Sequence, residues 1–170
     1  YLEVIEEESL RLSAMANNVL NLTRVENQTI LTEVTRFNLS EQIRGAVLLL
    51  AEKWTPKNLY MDMQFGEHMI CANEELLKQV WINLLDNAIE SAQNSKDKKI
   101  SLSINSIGNL LTVELSNSCD IPPKTKNKTL ISTKSEQGLH GYGFKSVKRA
   151  VKKYGGDLEW EYDDTNKLFK

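Results

Sequence analysis

The sequence has few of the residues that form disulfides or hold metal ions. Among its 170 residues there are two cysteines, Cys71 and Cys119, and two histidines, His68 and His140. Two isolated cysteines fit a reducing compartment, and the spacing of these four residues matches no metal-ligand pattern. The sequence therefore excludes a disulfide-rich secreted scaffold and offers no zinc motif.

Long apolar runs and an excess of charge of one sign are also absent. No apolar run approaches the length of a membrane span, and no signal peptide is visible. The net charge of −2 gives no indication of nucleic-acid binding. A hydrophobic content of 41% and a charged content of 26% are ordinary for a soluble globular domain. We expect no nucleic-acid partner and no membrane contact by this chain.

An initiating methionine is missing as well. The chain begins at Tyr1 and stops inside the apolar pattern "NKLFK". We therefore expect it to be a segment of a longer protein, with enough residues for one domain and an extension.

The first 27 residues contain neither glycine nor proline and carry apolar residues three, four or seven positions apart. This spacing is close to a heptad and predicts a long helix with one apolar stripe. Dimerisation is the simplest way to bury that stripe, although packing against its own domain is an alternative. The stripe consists of Leu2, Ile5, Leu12, Met15, Val19 and Leu22.

The rest of the chain alternates between helical and strand patterns. Helices are predicted in "FNLSEQIRGAVLLLAEKW", with Ser40 as N-cap, from about Asn73, and in "YGFKSVKRAVKKYGG". Strands are predicted in "PKNLYMDMQF", in a hairpin of "KKISLSIN" and "LLTVELSN" around Gly108, and in "DLEWEY" with "KLFK" as its partner. Residues 120–138 are predicted to form a loop. We expect an α+β fold: a two-layer α/β sandwich with a mixed, mostly antiparallel sheet, helices on one face and a long N-terminal helix in front.

The stretch "QVWINLLDNAIESA" gathers amides and carboxylates on one side of a predicted helix. At 3.6 residues per turn, its polar residues fall within an arc of about 100°, opposite an apolar stripe. A solvated face is the ordinary explanation, but such faces usually carry good helix formers, whereas Asn and Asp are poor ones. Their oxygens are ligands that Mg²⁺ and its waters prefer. The polar residues are Gln79, Asn83, Asp86, Asn87 and Glu90.

The segment "GLHGYGFKSVK" places three glycines, Gly138, Gly141 and Gly143, before a helix. Glycines there let the backbone approach a ligand, and free N–H groups at a helix start attract phosphate. Lys134 and Lys145 add positive charge. A tight loop-to-helix turn is the alternative explanation, and it needs only one or two glycines.

Together these motifs resemble the ATP-binding domain of sensor histidine kinases, within the wider family shared with gyrase, Hsp90 and MutL. "NLLDNAIESA" is similar to the N box of that family, and "HGYGFKSVK" to its second glycine box. The N-terminal "YLEVIEEESLRLSAMANNVLNLTRVE" resembles the second helix of the kinase dimerisation domain. The resemblance implies two parts: residues 1–33 from the dimerisation and phosphotransfer domain, and residues 34–170 as the ATP-binding catalytic domain.

The resemblance also implies a site for ATP and Mg²⁺. Its amides, Asn83 and Asn87, are expected to bind Mg²⁺ and the triphosphate. Asn83 stands where the gyrase and Hsp90 relatives carry a water-activating Glu, and an amide cannot act as a general base. Phosphoryl transfer is therefore favoured over hydrolysis. The expected ATP and phosphate ligands are Asn83, Asn87, Glu90, Lys134, Gly141 and Gly143.

The adenine box departs from the family pattern. Alignment on "IPP" puts Ser116 in the position of the usual Asp, with Asn117 next and Ser118 and Asp120 in place of two glycines. The expected adenine-binding residues are Asn117, Ser116 and Asp120. Asn117 offers an amide oxygen, which is a weaker acceptor than a carboxylate.

The resemblance leaves three functions open. The first is the catalytic part of a two-component sensor histidine kinase, in the cytoplasmic portion of a membrane-anchored sensor, forming a homodimer through the N-terminal helix and acting on a response regulator. Its phosphoacceptor histidine is expected outside this chain, so we assign no catalytic residue and expect no autophosphorylation. The second is a regulatory pseudokinase, a dimerisation and partner-binding module with poor nucleotide binding. The third, an ATPase clamp, is disfavoured by Asn83 and by the N-terminal helix.

Overall fold

A computed structural model of the chain describes residues 33–126, 129–130 and 142–170. The predicted N-terminal helix, with its apolar stripe, lies outside the described residues. So do Lys134, Gly138, His140 and Gly141 of the predicted phosphate-binding region.

Helices and strands alternate along the described parts of the chain. A 3₁₀ turn at Thr55–Lys57 follows the second helix. In chain order the elements are β1 (Val34–Asn38), α1 (Leu39–Leu49), α2 (Ala51–Trp54), β2 (Tyr60–Gln64), β3 (Met69–Asn73), α3 (Glu74–Ala92), β4 (Lys99–Ile107), β5 (Leu110–Ser118), β6 (Thr125–Lys126), β7 (Thr129–Leu130), α4 (Tyr142–Lys153), β8 (Tyr162–Asp163) and β9 (Leu168–Phe169).

The main sheet has five strands in the order β2-β4-β5-β9-β8. In it, β2 and β4 pair in parallel, and the other neighbours are antiparallel. Two small antiparallel ribbons, β1 with β3 and β6 with β7, complete the described strands. The mixed, mostly antiparallel sheet with packed helices confirms the predicted α+β fold.

The core lies between one face of this sheet and the helices. In β4 the inward residues Ile100, Leu102 and Ile104 are buried, while the intervening serines are only half-buried. Leu85 and Ile89 of α3 pack into the same cluster at 1% exposure. Each fully buried Leu or Ile contributes about 1.5–3 kcal/mol. The hydrophobic alternation of β4 therefore fixes which face of the sheet receives α3.

The start of α1 differs from its prediction. Asn38 caps the helix, because its side-chain oxygen accepts from the backbone N–H of Ser40 at 3.0 Å and of Glu41 at 3.3 Å. Ser40 is fully buried instead, and its hydroxyl donates to the carbonyl of Gly66 at 2.7 Å. The predicted single helix also breaks at Leu50, between α1 and α2.

Several strand boundaries differ as well. The ribbon of β1 with β3 is absent from the prediction, because neither segment shows a clear alternation of apolar and polar residues. The predicted strand "DLEWEY" forms a strand only at its end, in Tyr162–Asp163. The predicted loop at 120–138 contains β6 and β7. The "KLFK" partner strand is confirmed as β9, which pairs with both β5 and β8.

Candidate functional site

Helix α3 carries the polar residues singled out in the sequence. Asn73 caps its start, accepting from the backbone N–H of Leu76 at 2.8 Å. The arc opposite its buried stripe is more accessible: Asn87 is exposed, while three other polar residues are half-buried. The half-buried residues are Asn83, Asp86 and Glu90, and the buried stripe consists of Leu85, Ala88, Ile89 and Ala92.

A second apolar contact joins α3 to α4. Leu76 and Val80 of α3 pack with residues of α4 in a small buried cluster that includes Val147 and Ala150. The hydroxyl of Tyr154, just after α4, accepts from the backbone N–H of Asn73 at 2.9 Å. The end of α4 therefore lies at the start of α3, and the two helices run antiparallel.

This packing brings the start of α4 towards the two amides. The twelve residues of α4 span about 18 Å, so its first turn lies level with the middle of α3. Asn83 and Asn87 follow Leu76 and Val80 by seven residues each, which is nearly two turns. The amides thus continue the line of residues that faces α4. Gly143 belongs to that first turn, whose N–H groups have no partners within the helix.

Polar contacts orient side chains of this arc. The Gln79 amide donates to the Asn83 side-chain oxygen at 3.3 Å. The Lys53 ammonium group, from α2, lies 2.6 Å from an Asp86 carboxylate oxygen. Lys53 is not among the residues predicted from the sequence, because no local pattern connects residues 33 positions apart.

The end of β5 separates the predicted adenine-binding residues. Val113 and Leu115 pack against the core, so Asn117 lies on the same face, towards the helices, and is 4% exposed. The Asn117 amide donates to the Ser118 carbonyl at 2.9 Å. The side-chain nitrogen of Asn117 makes this bond, so its side-chain oxygen is the atom that turns away from Ser118.

Ser116 lies on the opposite face of the sheet, which we call the outer face. It lines an open depression of about 210 Å³ there, together with Asp62, Ser101 and Glu114. Hydrogen bonds from Gln64 and then from Lys99 lower the pKa of Asp62 in this depression. The structure therefore does not bring Ser116 together with the amides of α3.

Asp120 connects the end of β5 to the end of α3. Its carboxylate accepts from the backbone N–H of Lys96 at 2.9 Å, and its own N–H donates to the Ser95 hydroxyl at 3.3 Å. These bonds hold the segment after β5 beside the segment after α3. Asp120 thus has a structural role that the sequence did not indicate.

The arrangement has the chemistry of a phosphate and magnesium site. Two amides of α3 lie on the side of that helix that packs on α4, and the free N–H groups of a helix start attract anions. Within the described ranges, no three or more His, Cys, Asp and Glu residues cluster as a metal site. Mg²⁺ fits the side-chain oxygens of the two amides, since it usually takes only one or two ligands from the protein and completes its shell with phosphates and water.

Comparison with known protein families matches residues 76–170 to the GHKL domain. This match covers more than half of the chain and includes most of α3 and all of β4, β5 and α4. The chain belongs to the GHKL family.

The relatives of the chain are sensor kinases. It is 28% identical over 136 residues to the C4-dicarboxylate transport sensor protein DctB of Rhizobium meliloti, a match covering 77% of the chain and 22% of DctB. It is 28% identical over 109 residues to hybrid signal transduction histidine kinase G of Dictyostelium discoideum, covering 61% of the chain and 3% of that protein. The chain thus spans less than a quarter of the length of either relative.

Solved structures with a similar fold are histidine kinases. The catalytic domain of histidine kinase ThkA superimposes with a TM-score of 0.65 at 27% identity, covering 81% of this chain and 94% of that one. ThkA in complex with response regulator TrrA superimposes with a TM-score of 0.68 at 25% identity, covering 99% of this chain and 48% of the ThkA chain. Full-length ShkA in complex with AMPPNP superimposes with a TM-score of 0.81 at 17% identity, covering 99% of this chain and 36% of the ShkA chain. This similarity shows a common fold. None of the described helices has both the length and the apolar character needed to cross a membrane.

Proposed function

We propose that this chain is the catalytic part of a sensor histidine kinase, which binds Mg·ATP and transfers its γ-phosphoryl group to a histidine outside the chain. One observation carries this proposal: the amides Asn83 and Asn87 continue the α4-facing line of α3, level with the start of α4. The nucleotide complex of ShkA, a protein of the same fold, supports it.

In this proposal the two amides hold Mg²⁺ and the triphosphate. The bond from Gln79 orients the Asn83 amide. The first turn of α4 supplies N–H groups to the phosphate oxygens. When bound, Mg²⁺ supplies positive charge that offsets the negative charge of the transferring phosphoryl group. The other residues proposed to bind ATP and its phosphates are Glu90, Lys134, Gly141 and Gly143, with the Glu90 carboxylate acting through Mg²⁺.

The chemistry of Asn83 favours transfer over hydrolysis. Asn83 cannot remove a proton from water, because a neutral amide is no general base. Water near the γ-phosphoryl group is therefore not activated by this side chain. A neutral histidine brought to the site needs no such activation, since its ring nitrogen is already a nucleophile.

Asn117 is our proposed contact for adenine. Its NH₂ group donates to Ser118, so its oxygen is the atom left to accept from the exocyclic amino group of the base. In this proposal Asp120 acts indirectly, by holding the end of β5 beside the end of α3.

The parent protein is proposed to act as a homodimer with a response regulator, with this chain in its cytoplasmic portion. Residues 1–33 would supply part of its dimerisation and phosphotransfer domain, and residues 34–170 its ATP-binding domain. ThkA, which is 25% identical to this chain, has been solved in complex with a response regulator, and this supports the proposed partner.

The Asn87→Ala variant tests the site. Asn87 is exposed, so we expect its loss to leave the unfolding temperature unchanged and to nearly abolish Mg·ATP binding in calorimetry. Asn105→Ala is the matched control, because Asn105 is an exposed amide on β4, outside the proposed site. Unchanged affinity in Asn87→Ala would reject the site assignment.

A regulatory pseudokinase is the second candidate function. Asn117, a neutral amide, takes the helix-facing position at the end of β5, which weakens the adenine contact relative to a carboxylate. If the wild-type chain binds no Mg·ATP at millimolar concentration, the regulatory function is favoured. If it binds, adding the upstream phosphoacceptor helix and assaying phosphohistidine tests the kinase.

A further inference from the structure

An ion pair lies beside the two amides of the candidate site. The Lys53 ammonium group contacts the Asp86 carboxylate at 2.6 Å, connecting α2 to α3. The Lys53 side chain is 55% exposed and that of Asp86 is 31% exposed. Ion pairs this accessible contribute little to stability, so its main effect is on the local electrostatic potential.

Asp86 is placed where a carboxylate opposes phosphate binding. It lies directly before Asn87 and three residues after Asn83, with Glu90 one turn further along α3. A triphosphate held by the two amides would place several negative charges beside the Asp86 carboxylate. Without a counter-ion, Asp86 would repel that ligand.

We propose that Lys53 is a positioning residue of the nucleotide site. It neutralises Asp86 and holds that carboxylate on the α2 side of α3, so that the charge of Asp86 does not oppose a triphosphate at Asn83 and Asn87. This inference rests on the proposed function, and it assigns to α2 a part in nucleotide binding.

The test compares ligands with different numbers of phosphates. In Lys53→Met we expect calorimetry to show Mg·ATP binding weakened about 5-fold at low salt, because the uncompensated Asp86 carboxylate then repels the triphosphate. The loss should be smaller for ADP, smallest for AMP, and reduced at high salt. A purely structural role would weaken the binding of all three ligands by the same factor, and that result would overturn the proposal.

Companion variants isolate the role of the charge. Lys53→Arg should retain the affinity, and Lys53→Met combined with Asp86→Asn should recover it. Lys99→Met is the matched control and should bind like wild type, since Lys99 pairs with Asp62 of the outer-face depression at 3.2 Å. If Asp86→Asn alone abolishes binding, Asp86 is a direct ligand and the proposal is wrong.

The outcomes also separate this inference from the proposed function. A phosphate-graded effect of Lys53→Met, together with unchanged affinity in Asn87→Ala, would reject the amide assignment and keep the role of Lys53. No effect of Lys53→Met, with loss of binding in Asn87→Ala, would reject the role of Lys53 and keep the amides. Absence of nucleotide binding by the wild type would overturn both.

Discussion

At the scale of single residues, strand alternation decides which side chain at the end of β5 faces the helices. A gapless alignment gives Ser116 the position of the usual adenine-binding acid. Neighbouring residues in a strand lie on opposite faces of the sheet, and Leu115 packs inward, so Asn117 lies inward and Ser116 outward. The residue that aligns with the acid and the residue that faces the helices are therefore one position apart.

This geometry predicts different results for substitutions at the two positions. Ser116→Asp should leave ATP affinity unchanged, because the new carboxylate would lie on the outer face of the sheet. Asn117→Ala should weaken ATP binding by about 1 kcal/mol, the contribution of one hydrogen bond. Calorimetry measures both, and a thermal melt of Asn117→Ala shows whether the variant stays folded. Tighter ATP binding by Ser116→Asp would contradict the assignment of Asn117.

At the scale of elements, the end of α4 is set by backbone geometry. Gly155 has a φ of +70°, in the left-handed region, and its N–H donates to the carbonyl of Lys152 at 3.0 Å. Glycine adopts this conformation without steric cost, whereas other residues do not. The turn after α4 matters for the site because it places Tyr154 against the cap of α3.

Two glycine substitutions with opposite expected effects test this point. Gly155→Ala should lower the free energy of unfolding by about 1 kcal/mol, the cost of a side chain in the left-handed region. Gly45→Ala should raise it by about 0.5–1 kcal/mol, because alanine is the better helix former and a Cβ at this exposed position of α1 meets no atom within 4 Å. Urea unfolding measures both changes. Equal effects of the same sign would contradict the conformational argument.

The loop between β2 and β3 is held against the start of α1 by charge. The Glu67 carboxylate accepts from the Asn38 amide and, at 2.8 Å, from the Arg44 guanidinium group. The Asn38 bond first, and then the Arg44 bond, lower the pKa of Glu67 below its ordinary value. The ionised carboxylate is therefore favoured in the folded state, and the contacts of this loop should weaken in acid.

The sign of the lowered Glu67 pKa gives a pH dependence. Its contribution to stability is present above the ordinary carboxyl pKa of about 4.3 and is lost as the pH falls through the lower folded-state value. Glu67→Gln should therefore flatten the acid limb of the urea-midpoint curve between about pH 5 and pH 3. Arg44→Met, which removes one donor, should flatten it in part. A Glu67→Gln curve parallel to that of wild type over this range would refute the linkage.

At the scale of the whole molecule, the N-terminal stripe bears on assembly. The apolar residues of that stripe lie in a segment with a near-heptad spacing, which is typical of helices that associate. We propose that it forms a homodimer in the parent protein. In this proposal residues 1–33 supply only one of the two helices expected for each subunit, so the longer protein is the one to measure.

Replacing Leu12 and Val19 with Asp should dissociate the dimer of a protein that includes the preceding helix. Two carboxylates in an apolar seam would lose their hydration without gaining partners. Sedimentation measures the change from dimer to monomer. Replacing Asn17 and Asn21 with Asp, outside the stripe, provides a control of equal charge that should remain dimeric. A dimer in the Leu12 and Val19 variant would exclude this interface.

Local sequence pattern was enough to predict the elements that depend on neighbouring residues. The period of 3.6 in α3, the alternation of β4 and β5 and the glycines after α4 predicted those elements, and the motifs on them pointed to the GHKL family. The predicted boundaries of elements were wrong where two local signals compete. Asn38 and Ser40 are both good N-cap residues, and only burial of the Ser40 hydroxyl against Gly66 decides between them.

Packing between elements that are distant in the sequence determines which groups lie beside the polar residues of α3. The antiparallel packing of α4 brings a helix start towards Asn83 and Asn87, and α2 brings Lys53 to Asp86. These contacts join residues far apart in the chain, so no local period encodes them. They arise because α3 buries one stripe on the sheet and the first part of a second line of residues on α4, which leaves the continuation of that second line for a ligand.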